Sequence, residues 1–122
     1  MEVSIIIPSF NTKKLTLACV ESVFGSRPKI SFEVIIVDNG SGDGSVEALR
    51  AVFGKKIKVV KNKENLGFAK AVNIGIKYAK GKSVLLLNSD TQVMPYTIES
   101  LVNFAKKTNR PENQFFAIFK LI

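Results

Sequence analysis

The sequence contains no histidine and a single cysteine, Cys19, among its 122 residues. One cysteine cannot form an internal disulfide bond, and without histidine there is no thiolate or imidazole cluster to hold zinc. A serine or cysteine nucleophile would also lack the histidine base of a hydrolytic triad. Any metal ion that the chain binds must therefore have oxygen ligands.

Long hydrophobic runs are missing as well. The longest apolar runs, at residues 5–7, 34–37 and 84–87, have the length of strands and are far shorter than the roughly 20 residues of a membrane-spanning helix. No basic segment followed by an apolar one opens the chain as a signal peptide would. We therefore expect one cytoplasmic domain over residues 1–122, with at most peripheral contact with the inner face of the membrane.

Charge is unbalanced, because 18 lysines and arginines face 10 aspartates and glutamates and give a net charge of +8. The lysines are scattered, and no aromatic residues interleave with them as they do where nucleic-acid bases stack. We therefore expect no nucleic-acid partner. The basic side chains are interpreted as solvated surface, with attraction to anionic lipid or phosphate as the alternative.

Short runs rich in valine and isoleucine alternate with segments of helical period, which is typical of βα units around a parallel sheet. Strands are predicted at residues 3–7, 33–37, 57–61 and from residue 84. The apolar residues 115–122 are expected to add an edge strand. Helices are predicted between the strands, and the later ones cover residues 66–79 and 95–108.

The first helix is predicted to begin after Asn11 or Thr12 and to bury one face. Leu15, Cys19 and Val23 share that face, at spacings of four residues. Cys19 is therefore interpreted as a small core residue and not as a reactive thiol.

Two glycine patterns suggest phosphate sites but fail on position. The glycines at 40, 42 and 44 follow the second strand, whereas a dinucleotide fingerprint belongs in the first βα turn and needs its third glycine one residue later. Residues 81–83 resemble the end of a phosphate-binding loop but lead into a strand where a helix is required. A nicotinamide or P-loop nucleotide site is therefore excluded.

Three strand ends carry polar residues, at 8–11, 38–40 and 88–91. Because ligands bind at the carboxyl ends of the strands of an open parallel sheet, these segments are expected to meet in one crevice. Asp38 or Asn39 can accept a hydrogen bond from a nucleobase, and Asp90 can bind a divalent cation that bridges two phosphates. The alternative for both aspartates is a role in capping a turn.

Four segments in order carry a resemblance to a known family: residues 4–11 (SIIIPSFN), 37–41 (VDNGS), 65–76 (NLGFAKAVNIGI) and 86–91 (LLNSDT). They resemble the amino-terminal half of family 2 inverting glycosyltransferases, and the rhamnosyltransferase-like branch is the nearest likeness. The resemblance implies a GT-A fold, a Rossmann-like α/β sheet of order 3-2-1-4 with helices on both faces. It also implies a nucleoside diphosphate sugar as ligand, linked to UDP or dTDP, and a saccharide or lipid-linked acceptor.

The resemblance assigns roles to residues at the first two strand ends. It implies that Pro8 and Asn11 border the base and ribose and that Asp38 and Asn39 contact the base. Asn39 replaces the second acidic residue of the commoner Asp-Asp pair, so the base preference stays open.

At the third strand end, the resemblance implies that Asp90 holds Mg²⁺ or Mn²⁺ and that Asn88 belongs to the substrate site. Gly67 would let the loop at Asn65 approach the nucleotide. Asn88 stands where many relatives have the first aspartate of the metal motif, and a weaker metal site is expected because affinity for hard cations follows ligand charge.

No catalytic residue is assigned. The general base of the family lies in the acceptor-binding half, beyond the metal motif, and no candidate follows Glu112. Without a base, roughly 10²- to 10⁴-fold of rate is lost. The chain is therefore expected to be a truncated donor-binding domain that is weak or inactive alone.

Two alternatives stay open. A non-catalytic module would use the apolar residues 115–122 to contact a partner or a second copy in a homodimer. A nucleotidyltransferase would keep the sheet but needs a glycine-rich loop after the first strand, and residues 11–14 are a poor substitute.

Overall fold

Five parallel strands form one sheet in the computed structural model, which describes residues 1–107 and 115–118. Their order is β3-β2-β1-β4-β5, and each pair of neighbours runs parallel. The bounds are β1 Val3–Ser9, β2 Phe32–Asp38, β3 Lys58–Lys61, β4 Ser83–Leu87 and β5 Phe115–Ile118. The predicted order 3-2-1-4 is confirmed. The predicted edge strand is present as β5, and residues 119–122 of that prediction lie outside the described residues.

Four α-helices connect or follow the strands: α1 Lys13–Gly25, α2 Ser45–Phe53, α3 Phe68–Tyr78 and α4 Thr97–Lys107. A single 3₁₀ turn at Gly54–Lys56 follows α2. Two helices begin two residues later than predicted, because the residues before them, Gly67 and Tyr96, have φ angles of +88° and +68°. Such left-handed conformations cannot belong to a right-handed helix.

Alternate residues of each strand point to opposite faces, and both faces are covered by helices. One core contains Ile5, Ile7 and Ile36 together with residues of α1, α2 and α4. The other contains Ile6, Ile35 and residues of α3. The structure is therefore the expected three-layer α/β arrangement, in which the carboxyl ends of the strands are left for a ligand.

The core face of α1 differs from the prediction, because Leu15 does not belong to it whereas Thr16 and Val20 do. The buried residues of the helix are Thr16, Cys19, Val20 and Val23, whereas Leu15 is 50% exposed. The buried residues recur at spacings of three and four, which is the period of one helix face. Leu15 lies beside that face. Leu15 is thus free to line a surface cleft.

None of the helices within residues 1–107 is both long enough and apolar enough to cross a membrane.

Candidate functional site

A cleft of about 400 Å³ opens at the carboxyl ends of β1, β2 and β4. Four of the seven predicted site residues line it: Pro8, Asn39, Asn88 and Asp90. The other three, Asn11, Asp38 and Gly67, are not part of its lining. The structure therefore brings together residues from three separate strand ends, as the topology predicts, and places Asp38 at the end of β2 and Asn11 and Gly67 in the adjoining loops.

Asn11 joins the loop after β1 to the loop after β2. Its backbone amide donates to the hydroxyl of Ser41 at 2.8 Å, and its side-chain oxygen accepts from the amide of Gly42 at 2.8 Å. Asn11 has a φ of +52°, a conformation that asparagine tolerates better than most residues. Asn11 therefore fixes the position of the two loops relative to each other.

Asp38 is fully buried, and its carboxylate is directed at its own loop. One oxygen accepts from the amides of Gly40 and Ser41 at 3.1 and 2.8 Å, and the other accepts from the Ser41 hydroxyl at 2.6 Å. These three bonds fix the turn that follows β2. The contact with a nucleobase stays a prediction for this residue.

Asn39 lies in the wall of the cleft and is only 5% exposed. Its side-chain oxygen accepts from the side-chain amide nitrogen of Asn62 at 2.9 Å, and its side-chain nitrogen donates to the backbone carbonyl of Gly67 at 3.2 Å. The side chain thus connects the end of β2 to the end of β3 and to the start of α3. This fixes its orientation before any ligand is bound.

Gly67 is required by its backbone conformation. Its φ of +88° and ψ of 168° lie in a region that is essentially restricted to glycine. A Cβ atom at this position would meet nothing within 4 Å, so steric room is not the limiting factor. The side-chain oxygen of Asn65 accepts from the Gly67 amide at 2.9 Å and so forms a turn before α3.

The loop after β4 rests on Cys19 of α1. The Cys19 thiol donates to the carbonyl of Asn88 at 3.7 Å, and the same carbonyl accepts from the Thr91 amide at 3.0 Å. Burial, and to a smaller degree the negative charge of Asp90, raises the pKa of Cys19 to about 12. The thiol is therefore protonated and unreactive at neutral pH, in agreement with its interpretation as a core residue.

The apolar part of the cleft wall was not identified from the sequence. Phe10, Leu15 and Phe68 line the cleft and are 43%, 50% and 52% exposed. Large apolar side chains that stay this exposed beside a cleft indicate a surface for a flat or apolar ligand group. The sequence signal for this wall was that Phe10 and Phe68 lie within two of the motif segments, 4–11 and 65–76. The motifs alone do not show which side chains face a ligand.

The oxygen ligands for a metal ion are few. Asp90 is exposed and is the only carboxylate of the described residues that lines the cleft, and the amide of Asn88 and the hydroxyl of Ser89 lie in the same wall. Within residues 1–107, no three acidic, histidine or cysteine side chains gather into a metal-binding group. Mg²⁺ and Mn²⁺ accept such a site when phosphate oxygens and water complete the coordination. The donor set therefore fits a metal ion that binds together with a nucleotide.

Comparisons with known proteins agree with this geometry. The sequence model of a family described as glycosyl transferase family 2 matches residues 4–111. An uncharacterized glycosyltransferase of Rickettsia bellii is 35% identical over 121 residues, which are 98% of this chain and 17% of that protein.

Two solved structures share the fold. TarS 1-349 of S. aureus, solved in complex with UDP-GlcNAc, has a TM-score of 0.76 and 26% identity over 89% of this chain and 32% of the TarS chain. The mannosyltransferase PcManGT of Pyrobaculum calidifontis, solved with GDP-Man and Mn²⁺, has a TM-score of 0.74 and 25% identity over 90% of this chain and 33% of that chain. The chain thus spans a third or less of the length of these relatives.

Proposed function

The chain belongs to glycosyl transferase family 2, and from this membership we propose that its cleft binds the nucleoside diphosphate sugar of an inverting glycosyltransferase. The observation that carries the proposal is the meeting of Pro8, Asn39, Asn88 and Asp90 in one wall, although they follow three different strands. The binding of UDP-GlcNAc by TarS and of GDP-Man by PcManGT supports it.

The order of the strands suggests how the ligand lies. Asn39 follows β2 and Asp90 follows β4, and β1 runs between these two strands. Neighbouring strands are about 4.8 Å apart, so the two strand ends are separated by about 10 Å. A nucleoside diphosphate can extend over this distance, with its base near Asn39 and its diphosphate near Asp90.

The base end of the cleft offers both polar and apolar contacts. The ring of Phe10 can stack on a nucleobase, and the loop fixed by Asp38 and Asn39 can meet its polar edge. We place UDP or dTDP here, with Pro8 and Asn11 next to the base and ribose.

At the diphosphate end, Asp90, assisted by Asn88, would hold Mg²⁺ or Mn²⁺. A divalent ion bound there would neutralise the charge that develops on the departing diphosphate. A neighbouring pocket is lined by the half-buried Lys13 and the exposed Lys14, whose positive charges favour the approach of the same anionic group.

The general base is not accounted for by the cleft. Among the residues that the structure describes, Asp90 is the only carboxylate in the lining, and a carboxylate that binds the metal ion is not available to accept a proton from the acceptor. We therefore propose that this chain binds the donor but transfers sugar to a saccharide or lipid-linked acceptor weakly or not at all when it is alone.

The test is calorimetric titration of the chain with UDP, dTDP and GDP, each with and without Mn²⁺. We expect UDP or dTDP to bind more tightly in the presence of Mn²⁺, and we expect Asp90→Ala to abolish this metal dependence. Glu47→Ala, which removes an exposed carboxylate of α2 outside the cleft, is the matched control. If none of the three nucleotides binds, or if Asp90→Ala binds as the unchanged protein does, the proposal is wrong.

A further inference from the structure

Four hydroxyl groups form a connected chain from β1 to the loop that carries Asp90. Ser9 lies 2.8 Å from Thr16, Thr16 lies 3.0 Å from Thr12, and Thr12 lies 3.2 Å from Ser89. Ser9 and Thr16 are 3% and 0% exposed. Ser89 lines the cleft. Ser9 and Thr12 line the cleft as well, so these hydrogen bonds connect the buried Thr16 of α1 to three hydroxyls of the cleft wall.

The directions of these bonds follow from proton counting, because each hydroxyl has one proton to donate. The geometry makes Thr12 the donor to Ser89. Thr12 must then accept from Thr16, so that Thr16 in turn accepts from Ser9. Ser9 also lies 3.4 Å from Thr12, but its 2.8 Å contact with Thr16 is the shorter one.

This order leaves one proton unused, that of Ser89. Its oxygen is occupied by the bond from Thr12, and within residues 1–107 no acceptor for its own proton is found. Since Ser89 lines the cleft next to Asn88 and Asp90, its proton is available to an acceptor atom of a ligand bound there.

We propose that the Ser89 hydroxyl is a hydrogen-bond donor to an oxygen atom of the bound nucleotide sugar and that Thr12 is a positioning residue that orients it. The inference rests on the proposed function, because it takes the cleft to be the nucleotide-sugar site. The oxygen belongs either to the diphosphate or to a sugar hydroxyl. Both are acceptors of the same kind, and the experiment below separates them.

Thr12 has no competing structural task that explains its hydroxyl. It stands at the position that caps the start of α1, yet its side chain makes no capping bond to the helix amides. The amide of Lys13, the first residue of the helix, donates to the carboxylate of Asp43 at 3.0 Å. The Thr12 hydroxyl therefore takes part in the series of hydrogen bonds that leads to Ser89 and does not cap the helix.

The test compares dissociation constants for UDP and for UDP-GlcNAc, both with Mn²⁺, in the unchanged chain and in Ser89→Ala. If the acceptor is a sugar hydroxyl, Ser89→Ala weakens UDP-GlcNAc alone, by about 2- to 10-fold, as expected for one neutral hydrogen bond. If the acceptor is a diphosphate oxygen, both ligands weaken, by about 10- to 100-fold, because bonds to charged groups are stronger. Equal binding by both proteins overturns the proposal.

The role of Thr12 is tested by two matched variants. Thr12→Val keeps the shape of the side chain but removes the hydroxyl, and we expect it to weaken binding to the same extent as Ser89→Ala. Thr12→Ser keeps the hydroxyl and should bind within about 2-fold of the unchanged chain. The double variant should lose no more than Ser89→Ala, because Thr12 acts through Ser89. Additive losses, or a failure of Thr12→Ser to restore binding, would overturn the positioning role.

Two controls keep the outcomes distinct. Urea midpoints for each variant exclude loss of folding, and Thr12→Ala replaces Thr12→Val if the latter is unstable. A chain that binds none of UDP, dTDP, GDP and UDP-GlcNAc refutes the proposed function and this inference together. A chain that binds both, with Ser89→Ala and Thr12→Val unaffected, refutes this inference alone.

Discussion

Gly75 in α3 lies directly over Ile6 in β1, so closely that a Cβ atom at Gly75 would stand 2.6 Å from the Cγ2 atom of Ile6. Ile6 is fully buried, and Gly75 is buried in the helix face that covers it. The absence of a side chain at Gly75 therefore sets how near α3 approaches the sheet. This matters for the cleft, because Asn65 and Phe68, just before and at the start of the same helix, line it.

The first prediction is that Gly75→Ala destabilises the fold. Overpacking a buried contact costs about 1–3 kcal/mol, whereas the better helix propensity of alanine returns about 1 kcal/mol. We expect a net loss of up to about 2 kcal/mol in the free energy of unfolding, measured by urea denaturation. Gly25→Ala is the control, because a Cβ atom at Gly25 meets nothing within 4 Å. A Gly75→Ala chain at least as stable as its Gly25→Ala counterpart would show that the helix shifts without cost.

The second prediction concerns Asp38, whose carboxylate accepts three hydrogen bonds within its own loop. Asp38→Asn replaces an ionic acceptor that is shared by these donors, and we expect a loss of about 1.5–3 kcal/mol in the free energy of unfolding. Ser41→Ala removes only one of the donors and should cost less. Urea denaturation of both variants measures the difference, and equal losses would contradict the role of the carboxylate in holding the loop.

The same Asp38→Asn variant tests the base contact that the sequence predicts. A direct contact with the nucleobase changes the preference between UDP and GDP, because the two bases present different polar edges. Titration with both nucleotides in the presence of Mn²⁺ measures that preference. Proportional weakening of both would leave Asp38 with its loop contacts alone.

The third prediction is a pH dependence that originates at Asp43. The Ser45 hydroxyl bond, together with bonds from the amides of Lys13 and Ser45, holds the pKa of Asp43 below its ordinary value of 3.8. Because the folded pKa is lowered, the contribution to stability is present above pH 3.8 and is lost as the pH falls below it.

We therefore expect the stability difference between the unchanged chain and Asp43→Asn to be largest near neutral pH and to vanish in acid. Urea midpoints at a series of pH values measure it. Ser45→Ala, which keeps the carboxylate but removes the largest cause of the shift, should remove much of the same pH dependence. A difference that stays constant as the pH falls would show that the bonds at Asp43 do not depend on its charge.

Local pattern predicted the strands and the parallel sheet, whereas the strand order 3-2-1-4 was implied by the resemblance to family 2 glycosyltransferases. Runs such as residues 34–37 are apolar on both faces because the strand is covered by helices on both sides, and the polar residues that follow mark the strand end. The meeting of Pro8, Asn39, Asn88 and Asp90 follows from this topology, since the carboxyl ends of parallel strands share one edge.

The errors have equally local causes. The starts of α3 and α4 depend on the backbone angles of Gly67 and Tyr96, which helical periodicity does not encode. Leu15 was predicted on the core face because its spacing to Cys19 fits. In the structure the buried face begins with the next residue, Thr16, and Leu15 is half exposed at the cleft. Periodicity identifies a face of a helix but not its limits.

The sequence by itself determined the family, the parallel sheet and the edge at which the polar residues gather, because each depends on residue type and spacing along the chain. Only the tertiary structure decided what individual side chains contact. It directed the Asp38 carboxylate to the amides of its own loop, and it brought Thr12 within 3.2 Å of Ser89, 77 residues away. Such contacts depend on how side chains and loops pack in the folded chain, which fixes rotamers and distances that no local pattern contains.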